Sequence, residues 1–582
     1  MSPFIRRHNT FSHIVGRSSL IFLSLLLVGC GGSSSNPETA SVEATGTPGA
    51  EASVGERLFV ETRFAQAFKG YLDSGGNVNG TLPVGDPVMN LSETTGPFVG
   101  LPGPFVGLSM NCRACHLVDE HVGTLGGGMR TYADFAIRSP LPDRGDGKRT
   151  VPRNSPPLVN ASLTRPGGTL FHSDGEFSTM EDLILETFTG RNFGWLPGQK
   201  AEAIHHIAQV MRGDDGSGVI AQQFDGLSYR ILFTGANPAI PDEFRLPQEF
   251  RAFIGSGTDQ EIFDAVVKVV AAYVKQLQFS QQEESGALIR SPFDVFLSRN
   301  GLPQQPNNGE TPLDYSRRLL TLINGLASPK FVTSNPHRGN GLFQFHTQPF
   351  AFGAQELEGL KIFLAEPSTI PPTGSELTTG MFGNCLVCHA APTFTDFKLH
   401  NTGTAQREYD SIHGAGAFTA LAIPNLTTRN GNYNAFLPAT ETHPNASERF
   451  RAIPVLADPA VTDLGLWNVF ANPDMPNPQA KIRAILCDDQ VPCLLSEAAL
   501  LDLAIARFKT PGLRDLGHSA PYMHNGQFAT LKNIIDFYIG VSDQARAGTL
   551  RNGAMELQGI ALIAGDIAPL VAFLRSLNED YQ

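Results

Sequence analysis

The sequence predicts a mainly α-helical chain built from two similar halves, and three observations carry that prediction. Apolar residues recur at three- and four-residue steps in 179–188, 199–211 and 260–277, a spacing that gathers them on one helix face. Strand-like alternation is scarce throughout. Two helix-like segments, Gly55-Glu56-Arg57-Leu58-Phe59 and Gln355–Phe363, each precede a Cys-x-x-Cys-His motif in the same order, as expected of a degenerate repeat.

The elements follow in chain order. Arg6 and Arg7 precede the apolar run 21–28, which ends in Leu27-Val28-Gly29-Cys30 before a Gly/Ser tract. A charged segment, a short apolar segment and small residues at the break resemble a bacterial lipoprotein signal. Residues 1–29 are therefore expected to be removed, Cys30 to carry lipid, and 30–54 to form a flexible tether. A first domain is expected over 55–281, a connecting region over 282–350 and a second domain over 351–582, closed by the apolar helix Ile567–Leu577. Gly and Pro supply 59 and 41 of the 582 residues, so loop-rich insertions are expected around 213–255, 280–350 and 405–500.

With 43 basic and 56 acidic side chains the formal charge is −13. That balance lacks the basic surface nucleic-acid binding requires, and no nucleic-acid partner is expected. Seven cysteines are few for this length, but their placement is informative. Cys112-Arg113-Ala114-Cys115-His116 and Cys385-Leu386-Val387-Cys388-His389 both have the spacing of c-type haem attachment. Two thiols about one turn apart add to the haem vinyl groups, and the adjacent imidazole is aimed at the iron. A redox dithiol or half of a zinc site is the alternative for either copy taken alone. The expected cofactors are two covalently bound haem c groups. Cys487 and Cys493 close a short loop and are expected to form a disulfide, which export permits.

One further segment separates a generic di-haem cytochrome from something more specific. It runs Phe508-Lys509-Thr510-Pro511-Gly512-Leu513-Arg514-Asp515-Leu516, then Ala520-Pro521-Tyr522-Met523-His524-Asn525-Gly526 and Thr530-Leu531. Together with 153–160 after the first motif, and 392–396 and 400–403 after the second, it resembles the bacterial di-haem cytochrome c peroxidase family, MauG included. The resemblance implies two cytochrome c-like haem domains facing each other. The N-terminal haem would react with hydrogen peroxide and the C-terminal haem would pass electrons. It also implies that Asn154, Ser519 and Pro521 surround a calcium ion, with Arg153 and Arg514 facing haem propionates. The sixth ligand of the second haem falls on Tyr538, a phenolate that favours ferric and higher states. Met523 is the nearest alternative thioether.

The sequence also departs from the family pattern. No His lies between His121 and His172, so the first haem is expected to be open on its distal side. The family's Trp-Asp-Gly reads His172-Ser173-Asp174-Gly175, with Ser173 at the Trp position, which leaves Trp195 or His172 to serve any relay. Glu186, Arg191 and His172 are the expected distal catalytic residues, because peroxide cleavage needs a group that moves a proton between its oxygens. The expected function is an exported di-haem oxidoreductase on the periplasmic side of a bacterial membrane, the outer membrane favoured. It would draw electrons from a small cytochrome or cupredoxin, or from an oxidisable protein substrate. A di-haem oxygenase acting on an organic substrate and a purely electron-transferring cytochrome are the alternatives.

Overall fold

Twelve helices of eight or more residues carry the fold in the described residues of the computed structural model. Those residues are 49–86, 109–112, 115–116, 138, 141–148, 150–163, 168–222, 224–282, 285–337, 339–343 and 348–579. The expected signal, Cys30 with its expected lipid, most of the expected tether and His121 lie outside them. No helix among the described residues is long and apolar enough to cross a membrane.

The helices are α1 (Ala50–Phe59), α2 (Gln66–Asp73), α3 (Met180–Phe188), α4 (Lys200–Gly213), α5 (Asp259–Gln276), α6 (Pro292–Arg299), α7 (Pro312–Asn324), α8 (Ala354–Leu364), α9 (Thr404–His413), α10 (Gln479–Leu486), α11 (Leu531–Arg546) and α12 (Ile567–Arg575). Their starts are chemically marked. Thr258 opens α5 in a reciprocal capping box with Glu261, and Ser291 does the same for α6 with Asp294, followed by Pro292. The sheet is minimal: β1 (Leu399–His400) pairs antiparallel with β2 (Phe508–Lys509).

Three large apolar cores form. In the first, Val54 and Leu58 of α1 pack with Val266 and Val270 of α5. In the second, Leu360 and Phe363 of α8 pack with Leu570 and Phe573 of α12. Both helix pairs meet at a glycine. A Cβ on Gly55 would lie 2.6 Å from the Val269 carbonyl, and one on Gly359 only 1.9 Å from the Pro569 carbonyl. The third core, around Trp467, Leu466 and Ile482, belongs to the insertion expected at 405–500, so that stretch has an apolar interior of its own. Residues 282–350 are more than a connection. They supply α6 and α7, whose Phe293, Phe296 and Leu319 sit in the second core, and Ser316 accepts the Ala391 N–H beside the second Cys-x-x-Cys-His motif. Sequence periodicity missed α6 because its eight residues are buried almost all round and show no polar face.

A second repeat is visible in the backbone, under the shared Gly175/Gly526, Phe177/Phe528 and Thr179/Thr530. Segments 171–180 and 522–531 each open and close a small loop by an antiparallel bridge, Phe171 with Phe177 and Tyr522 with Phe528. The second residue of each is left-handed, His172 at φ +67° and Met523 at +69°. The fifth is a left-handed glycine, Gly175 or Gly526. The ninth is a threonine whose hydroxyl accepts the N–H three residues on, so Thr179 caps α3 and Thr530 caps α11. Helices α3 and α11 are thus equivalent elements of the two halves, in register from their caps onward.

Candidate functional site: a cavity shared by two haem-attachment motifs

Each Cys-x-x-Cys-His motif folds into one tight turn. The His116 N–H donates to the Cys112 carbonyl at 2.9 Å, and the His389 N–H to the Cys385 carbonyl at 2.8 Å. Cys487 and Cys493 form the expected disulfide, and none of the four motif cysteines is in one. Burial pushes the Cys112 and Cys385 thiols up to about 12, so neither is set up as a redox-active thiolate. Burial also lowers both imidazoles, His116 to about 4. His389 Nδ1 donates to the Phe394 carbonyl at 2.8 Å, which leaves Nε2 with its lone pair for a metal.

Both motifs open onto one cavity of about 1420 Å³. Tyr538, on α11, lines it together with Cys385, Cys388 and His389, and burial raises its phenol well above the ordinary range, with the two nearby cysteines adding to the effect. The cavity wall also holds an enclosed cation that needs an anion. Lys509 Nζ lies 5.6 Å from the Phe171 ring centroid, makes no hydrogen bond or ion pair among the described residues, and is lowered to about 8 by burial alone. Paired cysteines one turn apart, an oriented imidazole, a large cavity and an ammonium in its wall fit an iron porphyrin with carboxylate side chains.

Part of the wall is backed by an alternating ladder of buried charge. Arg153 pairs bidentately with Asp463 (2.6 and 2.8 Å) and with Asp174 at 2.6 Å. Arg451 then joins Asp174 at 2.5 Å to Glu176 at 2.9 and 3.0 Å. Glu176 in turn accepts from His172 Nδ1 at 3.0 Å. Burial by itself would raise both carboxylates, but the arginines outweigh it, holding Asp174 well below its usual range and Glu176 at about 2. Burial lowers His172, yet the two acids raise it above its usual value overall. Arg451 and Asp463 come from the insertion, so these pairs fasten it to the first half.

Several expected roles change on this geometry. Glu186 lines the cavity, with its side chain 47% exposed and ion-paired with Lys200 at 2.6 Å. The buried carboxylate is Glu176, two residues beyond Asp174, and reading family register further down the chain passed over it. Arg153 and Arg514, expected at propionates, line the cavity and are each engaged by protein carboxylates, Arg514 by Asp294 at 2.8 and 3.0 Å. Lys509, inside the diagnostic segment, lines the cavity without a carboxylate partner among the described residues. Arg191 does line the cavity, and its guanidinium makes no hydrogen bond or ion pair among the described residues. Trp195 also lines the cavity and is fully buried. Asn154 and Pro521 do meet, Nδ2 donating to the Pro521 carbonyl at 2.5 Å, while Asn154 Oδ1 is buried without a partner. Ser519 Oγ turns to the Asp515 carbonyl instead.

No family model matches the chain. Among curated proteins, cytochrome-c peroxidase IdrP2 of Denitromonas iodatirespirans is 29% identical over 208 residues, 36% of this chain and 39% of its own length. Cytochrome-c peroxidase IdrP1 of Pseudomonas sp. (strain SCT) is 34% identical over 205 residues, 35% and 39% of the two chains. Methylamine utilization protein MauG of Methylorubrum extorquens is 36% identical over 74 residues, 12% and 19%. The chain thus spans well under half the length of the curated relatives it matches. Among solved structures, a MauG-like protein associated with microbial copper homeostasis aligns with TM-score 0.41 and 16% identity, over 94% and 96% of the two chains. The diheme peroxidase BthA of Burkholderia thailandensis aligns with TM-score 0.39 and 15% identity, over 94% and 89%. The matched segments, which include cytochrome-c peroxidases and MauG among their relatives, make the chain similar to the di-haem cytochrome c peroxidase/MauG family and support that family for it.

Proposed function

We propose that the protein is an exported di-haem c-type oxidoreductase that reduces hydrogen peroxide at the haem held by Cys112, Cys115 and His116, with electrons passed through the haem held by Cys385, Cys388 and His389. The observation that carries this reading is the single cavity onto which both attachment motifs open, with an imidazole–carboxylate pair in its wall. Each turnover takes one hydrogen peroxide, two electrons and two protons to two waters. When bound, the first haem supplies the redox-active iron.

The chain's own residues manage protons and position. Arg451 keeps Glu176 ionised, and Glu176 holds His172 by Nδ1, so the other ring nitrogen is the one available to exchange a proton with substrate. Arg191 offers an unpaired guanidinium to developing negative charge. Lys509 neutralises a propionate. Asn154 and the Pro521 carbonyl would contribute oxygens to a calcium ion, once the amide presents Oδ1. The donor is a small redox protein or an oxidisable protein side chain, and the chain is tethered through Cys30 on the periplasmic side of a membrane. A second reading, oxidation of an organic substrate, is favoured by the residues 439–442 and 474–478 of the insertion, which also line the cavity.

Optical and electron paramagnetic resonance spectra of the ferric holoprotein, before and after peroxide, test the reading. One high-spin and one low-spin haem, with rapid spectral change on peroxide addition, is the expected result. Two low-spin haems inert to peroxide would overturn it. Turnover with peroxide and reduced cytochrome, against dioxygen and an organic substrate, separates the two readings.

A further inference from the structure

Equivalent helices α3 and α11 carry different side chains at the position that matters most. The registers are tied by the loop bridges, the two left-handed residues and the capping threonines, so Thr179 corresponds to Thr530, Met180 to Leu531 and Ile184 to Ile535. The last two pairs are buried in both halves. The same register places Thr187 opposite Tyr538. Both line the cavity, one in the half that bears the first motif and the other beside the second.

The two side chains differ in reach and in what they can give. Tyr538 extends a phenol into the cavity. Thr187 is short, and its hydroxyl is already used, donating to the Leu183 carbonyl at 2.8 Å within its own helix. A threonine hydroxyl bonded back onto its own helix lacks the reach of a ligand.

We infer that Thr187 is the residue that keeps the sixth position of the first haem open, occupying there the place that Tyr538 fills at the second haem. This rests on the proposed function and deepens it: the asymmetry between a reactive and a closed iron is set by one position of a duplicated helix. It also defines the ligand class at the first haem as small, neutral or anionic molecules such as peroxide or cyanide.

The test exchanges the two residues in the ferric holoprotein and counts cyanide-binding haems, with spin state read in parallel. Wild type is expected to bind one equivalent tightly. Thr187→Tyr should weaken that equivalent at least about tenfold, because cyanide must now displace a side-chain ligand. Thr187→Met, with a different ligating atom, should do the same and convert the high-spin signal to low-spin. Tyr538→Thr should raise the stoichiometry from one to two. Thr187→Val, which keeps the volume without the hydroxyl, should leave spin state and cyanide affinity unchanged. The inference is overturned if Thr187→Tyr and Thr187→Met both retain the wild-type high-spin signal and cyanide affinity, or if Tyr538→Thr still binds one equivalent. A wild-type protein with no high-spin haem would overturn the proposed function itself, and this inference with it.

Discussion

Replacing Arg451 with methionine removes the cation shared by Asp174 and Glu176. Its side chain is 3% exposed and that of Asp174 is fully buried, so water cannot take over the lost hydrogen bonds. Arg153 still neutralises Asp174, but Glu176 keeps only His172. Breaking one member of a buried charge network costs about 3–5 kcal/mol, chiefly through the charge left behind. Denaturant unfolding of the holoprotein, followed by far-ultraviolet circular dichroism, should show a loss in that range. Adding Glu176→Gln should recover part of it, since the stranded carboxylate is then gone, with a coupling energy of about 1–3 kcal/mol. The pH response has a definite sign. Glu176 is lowered to about 2 in the native protein, so the stability it contributes is present above its unfolded value near 4.5 and is lost as pH falls toward 2. Arg451→Met should flatten that part of the acid limb. A loss below about 1 kcal/mol, or a Glu176→Gln change that adds to the damage, would refute the view that the ladder is a buried clamp.

Other expectations follow from single sites. His206 is pushed down to about 4 by burial and its Nε2 donates to the Arg63 carbonyl at 2.8 Å. Being neutral when folded, it should cost stability as pH falls from about 6.5 to 4, on the order of 3 kcal/mol in full. His206→Gln should lessen that slope in melting temperatures measured across the interval. Gly359→Ala should destabilise by about 1–3 kcal/mol or more, because the new methyl meets the Pro569 carbonyl. Gly70→Ala, on α2 with open space around it, should stabilise by up to about 1 kcal/mol in the same melting assay. Replacing Cys487 and Cys493 with serine should cost roughly 2 kcal/mol by loop entropy, measured by denaturant unfolding under non-reducing conditions.

Much of the architecture was legible in the residues. The helices α3, α4, α5 and α8 follow apolar spacing, and both attachment motifs are local enough for five residues to define their chemistry. What escaped has physical causes. The short buried α6 has no amphipathic contrast. Arg451 and Asp463 sit in an insertion far along the chain from the Asp174 and Arg153 they neutralise, and no local pattern announces such a partnership. Glu176 went unnoticed beside Glu186, and although both line the cavity, only tertiary enclosure shows that Glu176 is the less exposed of the two and is bonded to His172. Lys509 was in plain view within a recognised segment, but its lack of a partner is a property of space rather than of spacing.

The charge ladder also bears on how far the chain can be taken apart. A fragment stopping near residue 281 would retain Arg153, Asp174 and Glu176 while losing Asp463 and Arg451. It would therefore lack modular independence even though its apolar core is complete, and fragment expression should yield a poorly soluble or haem-deficient product. Truncation, domain exchange and fusion designs for this protein need to keep the 405–500 stretch with the first half, although the chain presents it with the second.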